Sequence, residues 1–303
     1  MITYDRIDRC STATELWENL YCHLSSPYMP KFPCRKNMGG DETTYLVGSH
    51  SVLTDTRYPL VLSETRAMSL RYLIAELRWY MNGEDTWESF ETNAGKNIWK
   101  SLSDDGVHVN SNYGHKVQYA YGFNQLEYCI NLLKADMYTR QAVIHIKPPL
   151  NPAIPSKDTC CTVMLQFVYN YLDEALDAIV YMRSSDIWKG IVYDLPFFTS
   201  LQHLCAANAG LKYGELHFIA GNVHLYTGDV KEFIESPLST KISCREEHLY
   251  PVKALDPIDW NYLLPIIVNA RTLNEAIGDV CNANNQFKLL KLLNTMSEVK
   301  NAK

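Results

Sequence analysis

The sequence lacks the short motifs that identify many enzyme classes on their own. It contains no G-x-x-x-x-G-K-[ST] phosphate loop, no G-x-G-x-x-G dinucleotide turn and no H-E-x-x-H zinc helix. No pair of cysteines has C-x-x-C spacing, and no other zinc-type spacing occurs. Any chemistry must therefore depend on residues that are far apart in the sequence.

Other absences concern location and partners. The opening residues MITYDRIDRC lack the apolar core of a signal peptide, and no apolar run approaches the length of a membrane span. The nine cysteines are odd in number and scattered, so we expect free thiols in a reducing, cytoplasmic compartment. The net charge of −6 lacks the basic excess of a nucleic-acid-binding protein, whereas a small anionic ligand needs only a few arginines.

What the sequence does contain is an ordinary globular composition. Of its 303 residues 47% are hydrophobic and 20% are charged, with no internal repeat or low-complexity tract. Helical spacing of apolar residues predicts helices in 65–83, which ends at Gly83, in 124–136, in 197–210 and in the tail, where Phe287, Leu290 and Leu293 share a face. Strands are predicted in 140–148, 161–170 and 174–186, a strand with a turn in 45–54, and a strand pair or strand–turn in 214–229. The mixture predicts one α+β domain over 1–303 with one main sheet.

The stretch CCTVMLQF places two cysteines at the front of an apolar strand. Neighbours on an ideal strand point to opposite faces, so only one of Cys160 and Cys161 can face a given cleft. For a cysteine in such a run, packing in the core is the more frequent role. A nucleophilic thiolate would need a nearby cation or hydrogen-bond donor. The stretch alone leaves both interpretations open.

Polar residues close the strand in YMRSSDIWKG. Arg183, Ser184 and Asp186 come at the end of an apolar run, and Gly190 follows. Such a strand end suits a pocket floor, and the guanidinium fork of arginine matches the oxygens of a phosphate. A solvated turn with a surface ion pair is the alternative interpretation of this segment.

A third cluster lies in GNVHLYTGD. His224 and Tyr226 are two residues apart, so both side chains lie on one face of a strand. Two polar rings on one face could bind sugar hydroxyls. The alternative is a hydrogen-bonded structural histidine beside a half-buried tyrosine.

Together and in this order, the clusters resemble the thymidylate synthase superfamily. That family has Cys five residues before Gln in a strand, then Arg-Ser-x-Asp, a Gly, a base-reading residue and His-x-Tyr. The matching residues here are Cys161, Gln166, Arg183, Ser184, Asp186, Gly190, Asp194, His224 and Tyr226. Upstream, ELRWY, NIWKS, VNSNYG and TRQAV match further family segments and supply Glu76, Trp99, Tyr113 and Arg140. The register to Gln166 makes Cys161 the nucleophile and Cys160 its spectator neighbour.

The resemblance implies a fold, a co-substrate and a set of roles. It implies one main mixed sheet packed with helices, a homodimer formed through the sheets, and a core at about 44–240 with a divergent segment at 242–303. It implies 5,10-methylenetetrahydrofolate as co-substrate, with no metal and no direct nucleic-acid or membrane binding. The implied catalytic residues are Cys161, Glu76, Tyr113 and Asp194. The implied nucleotide-binding residues are Arg183, Ser184, Asp186, His224, Tyr226 and Arg140 of the neighbouring subunit. The implied folate-binding residues are Trp99, Glu76, Asp186 and Gly190.

The residue at the base-reading position differs from that of the thymidylate synthases. They carry Asn where this chain has Asp194, and the Asn amide pairs with N3–H and O4 of uracil. An ionised Asp facing O4 would set acceptor against acceptor, and an unpaired buried group costs about 1–3 kcal/mol. A carboxylate instead accepts from the N4 amine of cytosine, and from N3 once N3 is protonated. Asp194, with Thr162 after the nucleophile, resembles the phage deoxycytidylate hydroxymethylases. The resemblance thus implies that the substrate is dCMP and that Glu76 positions the water that is added. It also implies a role in nucleotide biosynthesis for DNA modification, and a location in the host cytoplasm if the protein is phage-encoded.

Other functions remain open at this point. A dCMP methylase shares every step until the last, where hydride from tetrahydrofolate replaces water. A thymidylate synthase acting on dUMP, a CMP hydroxymethylase and a non-catalytic nucleotide- or RNA-binding relative are further alternatives. The chain also departs from the family at two places: Gln141 replaces a second cross-dimer arginine, and Met38, after Arg35 and Lys36, falls near the register of the N-terminal phosphate-loop arginine.

Overall fold

The computed structural model describes most of the chain, with gaps. Its described residues are 7–26, 28–34, 42–63, 65–66, 68–148, 156–229 and 259–283. The predictions for the phosphate-loop residues Arg35, Lys36 and Met38, and for the tail residues Phe287, Leu290 and Leu293, lie outside these ranges.

The described strands form one mixed sheet. They are β1 (Asp8–Cys10), β2 (Phe32–Pro33), β3 (Glu42–Leu53), β4 (Val143–His145), β5 (Thr162–Asn170), β6 (Ala175–Met182), β7 (Ser185–Asp186) and β8 (Lys212–Tyr226). Their order is β1-β3-β8-β6-β5-β4, with β2 beside β3 and β7 beside β8. β8 runs antiparallel to β3 and parallel to β6, which in turn is antiparallel to β5. The predicted α+β class with one main mixed sheet is confirmed.

Helices cover one face of this sheet. They are α1 (Ala13–Leu24), α2 (Leu70–Asn82), α3 (Asn93–Leu102), α4 (Tyr113–Gln118), α5 (Gln125–Ala135), α6 (Ile191–Ala209), α7 (Trp260–Asn269) and α8 (Leu273–Ala283). Alternate residues of β6 are buried beneath them, as Val180 is, whereas Tyr181 is 40% exposed on the opposite face. Burying one large apolar side chain contributes roughly 1.5–3 kcal/mol, so the period-2 pattern fixes which face of each strand meets the helices. None of the helices in the described ranges is long and apolar enough to cross a membrane.

Three element predictions need correction. Residues 214–226 of the segment 214–229 belong to one continuous strand, β8, and not to a strand pair. The expected turn in 45–54 is a local irregularity inside β3, where Gly48 has φ 69° and is skipped in the pairing with β8. α6 begins at Ile191 and not at Phe197, and Pro196 lies inside it. Proline weakens a helix interior, but burial of nearly the whole of α6 outweighs that preference.

Among the cysteines whose side chains the structure describes, all but one follow the expected pattern. The thiols are free at Cys10, Cys34, Cys129, Cys160, Cys161 and Cys205. Cys22 is disulfide-bonded, so the expectation of free thiols throughout is wrong at that residue.

The C-terminal helices pack against α2. The buried guanidinium of Arg78 on α2 donates to the carbonyls of Ala270 at 2.6 Å and Ile267 at 3.3 Å, and its Nε donates to Glu91 at 2.9 Å. A cation at the C-terminal end of α7 satisfies carbonyls that have no partner inside the helix. The divergent segment is thereby attached to the helix that carries Glu76.

Candidate functional site

The two adjacent cysteines have different surroundings at the start of β5. Cys160 is 2% exposed and its Sγ lies 3.6 Å from the carbonyl oxygen of Asn110, whereas Cys161 is half-buried. The Arg183 Nη2 lies 3.6 Å from the Cys161 Sγ. Burial raises the pKa of both thiols, that of Cys160 to about 11, but at Cys161 the charge of Arg183 works against this rise. Cys161 therefore has the cation that a nucleophilic thiolate needs.

Arg183 links the cysteine loop to the end of β6. Its backbone N–H donates to the Cys161 carbonyl at 2.9 Å, and its guanidinium donates to the carbonyls of Cys160 at 3.0 Å and Thr159 at 2.7 Å. These bonds fix the cysteine loop, while the side chain of Arg183 stays exposed. The neighbouring Ser184 places its Oγ 3.5 Å from the Nδ1 of His224.

His224 and Tyr226 share one face of β8, as the spacing predicts. Their ring centroids are 5.1 Å apart in an edge-on arrangement, and the His224 Nδ1 lies 3.1 Å from the Oδ1 of Asn222. Burial, more than any nearby charge, lowers the pKa of His224, so the ring is neutral at neutral pH. Lys189 lies over the Tyr226 ring, 5.2 Å from its centroid, and pairs with Asp229 at 3.3 Å.

Two carboxyl groups from different helices come near each other in the interior, where the charge of Asp194 acts on Glu76. Glu76 on α2 is 8% exposed, and Asp194 is half-buried in the first turn of α6. Burial and then the charge of Asp194 raise the pKa of Glu76 to about 8, and hydrogen bonding by Tyr72 and Tyr80 opposes that rise. Burial and then the charge of Asp186 raise the pKa of Asp194 to about 7. Such paired, perturbed carboxyls are typical of functional sites.

Tyr113 connects these carboxyls to the cysteine loop. It begins α4, directly after the helix cap Asn112, and its hydroxyl accepts a hydrogen bond from the backbone N–H of Thr162 at 3.4 Å. It is 7% exposed, and burial followed by the charges of Asp194 and Cys161 raises its pKa well above the usual value. The predicted catalytic residues thus lie close enough to influence one another.

The loop before α6 has no space for a side chain. Asp186 accepts from the backbone N–H groups of Trp188 at 2.8 Å and Lys189 at 3.0 Å, and Gly190 donates to the carbonyl of Asp186 at 3.0 Å. A Cβ on Gly190 would lie 3.0 Å from that carbonyl oxygen and 3.2 Å from the Oδ2 of Asp194. Gly190 therefore permits the close approach of the loop to Asp194.

Two predicted site residues lie away from these contacts. Trp99 on α3 packs against Trp79 on α2, with ring centroids 5.3 Å apart. Arg140 is exposed and lines a separate surface cavity of about 500 Å³ together with Asp136, Tyr138, Thr139 and Gln141. The Gln166 side chain donates to the Arg140 carbonyl at 3.1 Å, which orients this segment but not the guanidinium.

Sequence reasoning missed three neighbours of the site. Tyr72 and Tyr80 lie one helical turn before and after Glu76, a spacing that could have identified them. Asp158 accepts a hydrogen bond from the backbone N–H of Ser111 at 2.8 Å and so ties the segment before Tyr113 to the cysteine loop. No sequence pattern marks Asp158 for that contact. In the part of the chain that the structure describes, no group of three His, Cys, Asp or Glu residues could hold a metal ion.

The buried carboxyl of Glu76 should make stability depend on pH. Its pKa is raised from 4.5 to about 8 in the folded chain, so the folded state holds a proton that the unfolded state releases between these values. The stabilisation is fully present below pH 4.5 and is lost as the pH rises to 8. Glu76→Gln removes this loss, so we expect its unfolding free energy to lie within about 1 kcal/mol of the wild type at pH 5 and to exceed it by roughly 2–4 kcal/mol at pH 8.

Urea denaturation of both proteins at pH 5, 6.5 and 8 checks this expectation. Glu127→Gln, which replaces an exposed carboxyl on α5, is the control and should leave the pH dependence of the wild type in place. If the unfolding free energies of Glu76→Gln and the wild type changed with pH in the same way, the raised pKa of the Glu76 carboxyl would be contradicted.

Comparison with known proteins identifies the family. A family model described as thymidylate synthase matches residues 33–251, which is more than half of the chain. The thymidylate synthase of Buchnera aphidicola subsp. Baizongia pistaciae (strain Bp) is 25% identical over 211 residues, which cover 65% of this chain and 75% of that protein. With its one mixed sheet packed against helices, the chain belongs to the thymidylate synthase family, whose enzymes transfer a one-carbon unit from methylenetetrahydrofolate to a pyrimidine nucleotide.

Proposed function

We propose that this chain is a deoxycytidylate hydroxymethyltransferase. It transfers the one-carbon unit of 5,10-methylenetetrahydrofolate to C5 of dCMP and adds water, giving 5-hydroxymethyl-dCMP and tetrahydrofolate. The observation that carries the choice of base is Asp194, a half-buried carboxyl at the position where the thymidylate synthases have an amide.

Asp194 suits cytosine because its proton can be shared. Burial raises its pKa to about 7, so near neutral pH the carboxyl gains and loses a proton readily. With cytosine, one carboxyl oxygen accepts from the N4 amine while the other shares a proton with N3. In its ionised form, the same carboxyl faces O4 of uracil with two acceptors and no donor, which favours dCMP over dUMP.

Binding of the nucleotide uses both ends of the cleft. The exposed Arg183 and the hydroxyl of Ser184 bind the phosphate, joined by Arg140 from the partner of a homodimer. His224 and Tyr226, side by side on β8, bind the 3′ hydroxyl of the sugar. A neutral His224 serves as hydrogen-bond donor or acceptor without adding charge beside the phosphate.

Covalent attack begins the reaction. The Cys161 thiolate, favoured by Arg183 beside it, forms a bond to C6 while Asp194 protonates N3. The electron pair of the C5–C6 double bond becomes available at C5, which bonds to the one-carbon unit. Tyr113 assists removal of the C5 proton, directly or through water.

The family resemblance assigns Trp99, Asp186 and Gly190 to the folate side. Gly190 supports this assignment, because a side chain there would crowd the carboxyl of Asp194. Methylenetetrahydrofolate supplies a one-carbon unit, which becomes an exocyclic methylene on the base after tetrahydrofolate leaves. N3 returns its proton to Asp194 at this stage. Water positioned by Glu76 then bonds to that carbon and gives a proton to Glu76. The methylene electron pair moves into the ring, and Cys161 leaves C6 as a thiolate, which restores the C5–C6 double bond.

One incubation distinguishes the proposed reaction from its alternatives. Purified protein is mixed with methylenetetrahydrofolate and with dCMP, dUMP or CMP, and both products are identified by mass spectrometry. Hydroxymethyl-dCMP with tetrahydrofolate supports the proposal. Methyl-dCMP with dihydrofolate would indicate a dCMP methylase. Turnover of dUMP would indicate a thymidylate synthase, and a preference for CMP would indicate an enzyme that acts on the ribonucleotide. No turnover, together with no protection of Cys161 from alkylation by dCMP, would indicate a non-catalytic relative.

A shared site predicts recovery of activity in mixed dimers. We expect Arg140→Ala to weaken nucleotide binding about tenfold or more, because one charged phosphate contact is lost. Mixing it with Cys161→Ser produces hybrids in which one site has both residues intact, so after random exchange activity should return to about a quarter of wild type. The exposed position of Arg140 and the apolar side chains on the open sheet face, Val47 and Tyr181, favour this arrangement.

Activity of the mixture is measured after denaturation and refolding together, with subunit exchange verified by differently tagged chains. Two wild-type samples treated in the same way provide the reference for full recovery. Absence of recovery despite proven exchange would rule out a contribution of Arg140 to the partner's site.

A further inference from the structure

Glu76 lies between two tyrosines on one face of α2. Tyr72 precedes it by four residues and Tyr80 follows it by four, so the three side chains lie in a row along the helix. The Tyr72 hydroxyl donates to the Glu76 Oε1 at 3.2 Å. Hydrogen bonding by Tyr80, one helical turn after Glu76, lowers the pKa of the same carboxyl. The carboxyl is thus flanked by a phenol on each side.

Packing holds both phenol rings in place. Tyr72 lies against Phe90 and Tyr193, with ring centroids 5.3 Å and 4.8 Å away. The Tyr80 ring, 6% exposed, packs against Phe197 at 4.8 Å. Rings that are fixed in this way keep their hydroxyl groups directed at one place.

The Tyr80 ring also stacks on Tyr113. Their centroids are 5.6 Å apart and the ring planes differ by 27°. Tyr80 is therefore in contact with Tyr113, the residue assigned to removal of the C5 proton. Tyr80 also lowers the pKa of Glu76 by hydrogen bonding. The arrangement couples the positions of the two groups that handle protons.

We propose that Tyr72 and Tyr80 are positioning residues, whose hydroxyls fix the Glu76 carboxyl and favour its ionised form so that it accepts the proton of the adding water. This inference rests on the proposed function for the identity of that water. Neither tyrosine needs to touch the reacting atoms, because each acts through the carboxyl. A carboxylate accepts a proton, whereas a neutral carboxyl in the same place donates a hydrogen bond to water and holds it in the wrong orientation.

The surroundings explain why such donors are needed. Burial and the charge of Asp194 on α6 both disfavour the ionised form of Glu76. The other titratable groups that face the row are Tyr193 on α6 and Tyr113 on α4, and neither is a cation. Two phenol donors are thus the groups that favour the carboxylate, and hydrogen bonds to a charged group are the stronger kind.

The test uses Tyr72→Phe, Tyr80→Phe and the double variant in the full chain. Phenylalanine keeps the ring packing and removes only the hydroxyl. Tyr213→Phe, whose ring stacks on His203 at the far end of β8, is the matched control. The first readout is the pH dependence of kcat and KM with dCMP. The second is infrared titration of the Glu76 carboxyl, taken as the difference spectrum against Glu76→Gln and independent of turnover.

Loss of either hydroxyl should raise the Glu76 midpoint by about one pH unit, which leaves about tenfold less carboxylate at neutral pH. The acid limb of kcat should move by the same amount, with KM for dCMP unchanged and activity recovered at higher pH. A midpoint that stays at the wild-type value in both single variants would overturn the inference, whatever reaction the chain performs. A shifted midpoint without any hydroxymethylated product would overturn the proposed function and leave the hydrogen bonding to Glu76 established.

Discussion

Cys161→Ser is expected to lower turnover of dCMP by on the order of 10⁴-fold or more, because the reaction requires a nucleophile that bonds to C6 and later leaves. A serine hydroxyl is far less acidic than a thiol, and the nearby Arg183 cannot ionise it at neutral pH. Binding of dCMP should persist, since the phosphate and sugar contacts come from other side chains. The measurement is single-turnover kinetics, with nucleotide binding followed separately by calorimetry.

Cys160→Ser is the matched control next to it in the sequence. Its side chain faces the carbonyl of Asn110 and not Arg183, and a serine hydroxyl can donate to the same carbonyl. We expect activity within about threefold of the wild type, with a modest loss of stability for a buried polar replacement. Comparable loss of turnover in both variants would contradict the assignment of Cys161 as nucleophile.

The fold was predictable where one local pattern dominates. Alternation in 161–170 and 174–186 identifies β5 and β6, and Gly83 marks the end of α2 with the left-handed backbone that favours glycine. Prediction failed where burial outweighs local preference. The sequence pattern predicts a helix from Phe197, yet the packed surroundings extend α6 back through Pro196 to Ile191. That difference matters, because it places Asp194 on a rigid helical turn and not in a loop.

The site was predictable only through resemblance. Glu76 and Asp194 are 118 residues apart, and no periodicity relates a residue of α2 to one of α6. The effect of Asp194 on the pKa of Glu76 arises from packing, which a single sequence does not display. Tyr72 and Tyr80 are different, since helical spacing alone places them beside Glu76. The contact of Asp158 with Ser111 depends on the path of a loop, and no local rule determines it.

Asp194→Asn is expected to reverse the choice of base. An asparagine amide accepts from N3–H and donates to O4 of uracil. Held in that orientation, its N–H₂ group meets the N4 amine of cytosine, and an amide has no acidic proton to transfer to N3. Each mispaired buried group costs about 1–3 kcal/mol, so the ratio of dCMP to dUMP activity should fall by roughly 10²–10⁴-fold. The loss on dCMP should appear mainly in kcat, because protonation of N3 is what makes C6 electrophilic.

The ratio of kcat/KM values for the two nucleotides is the measurement, with products identified by mass spectrometry. Asp177→Asn on β6 is the matched control, since its half-buried carboxyl accepts from the backbone N–H of Glu215 at 2.7 Å, apart from the site contacts. That variant should keep the wild-type ratio. An unchanged ratio in Asp194→Asn would mean that another group reads the base, and the preference for dCMP would then lose the residue on which it is argued. The ratio could also reverse while dUMP is still converted to a hydroxymethylated product. That result would show that base selection and water addition depend on different residues: Asp194 selects the base, while Glu76 and its two tyrosines determine what is added to the methylene carbon.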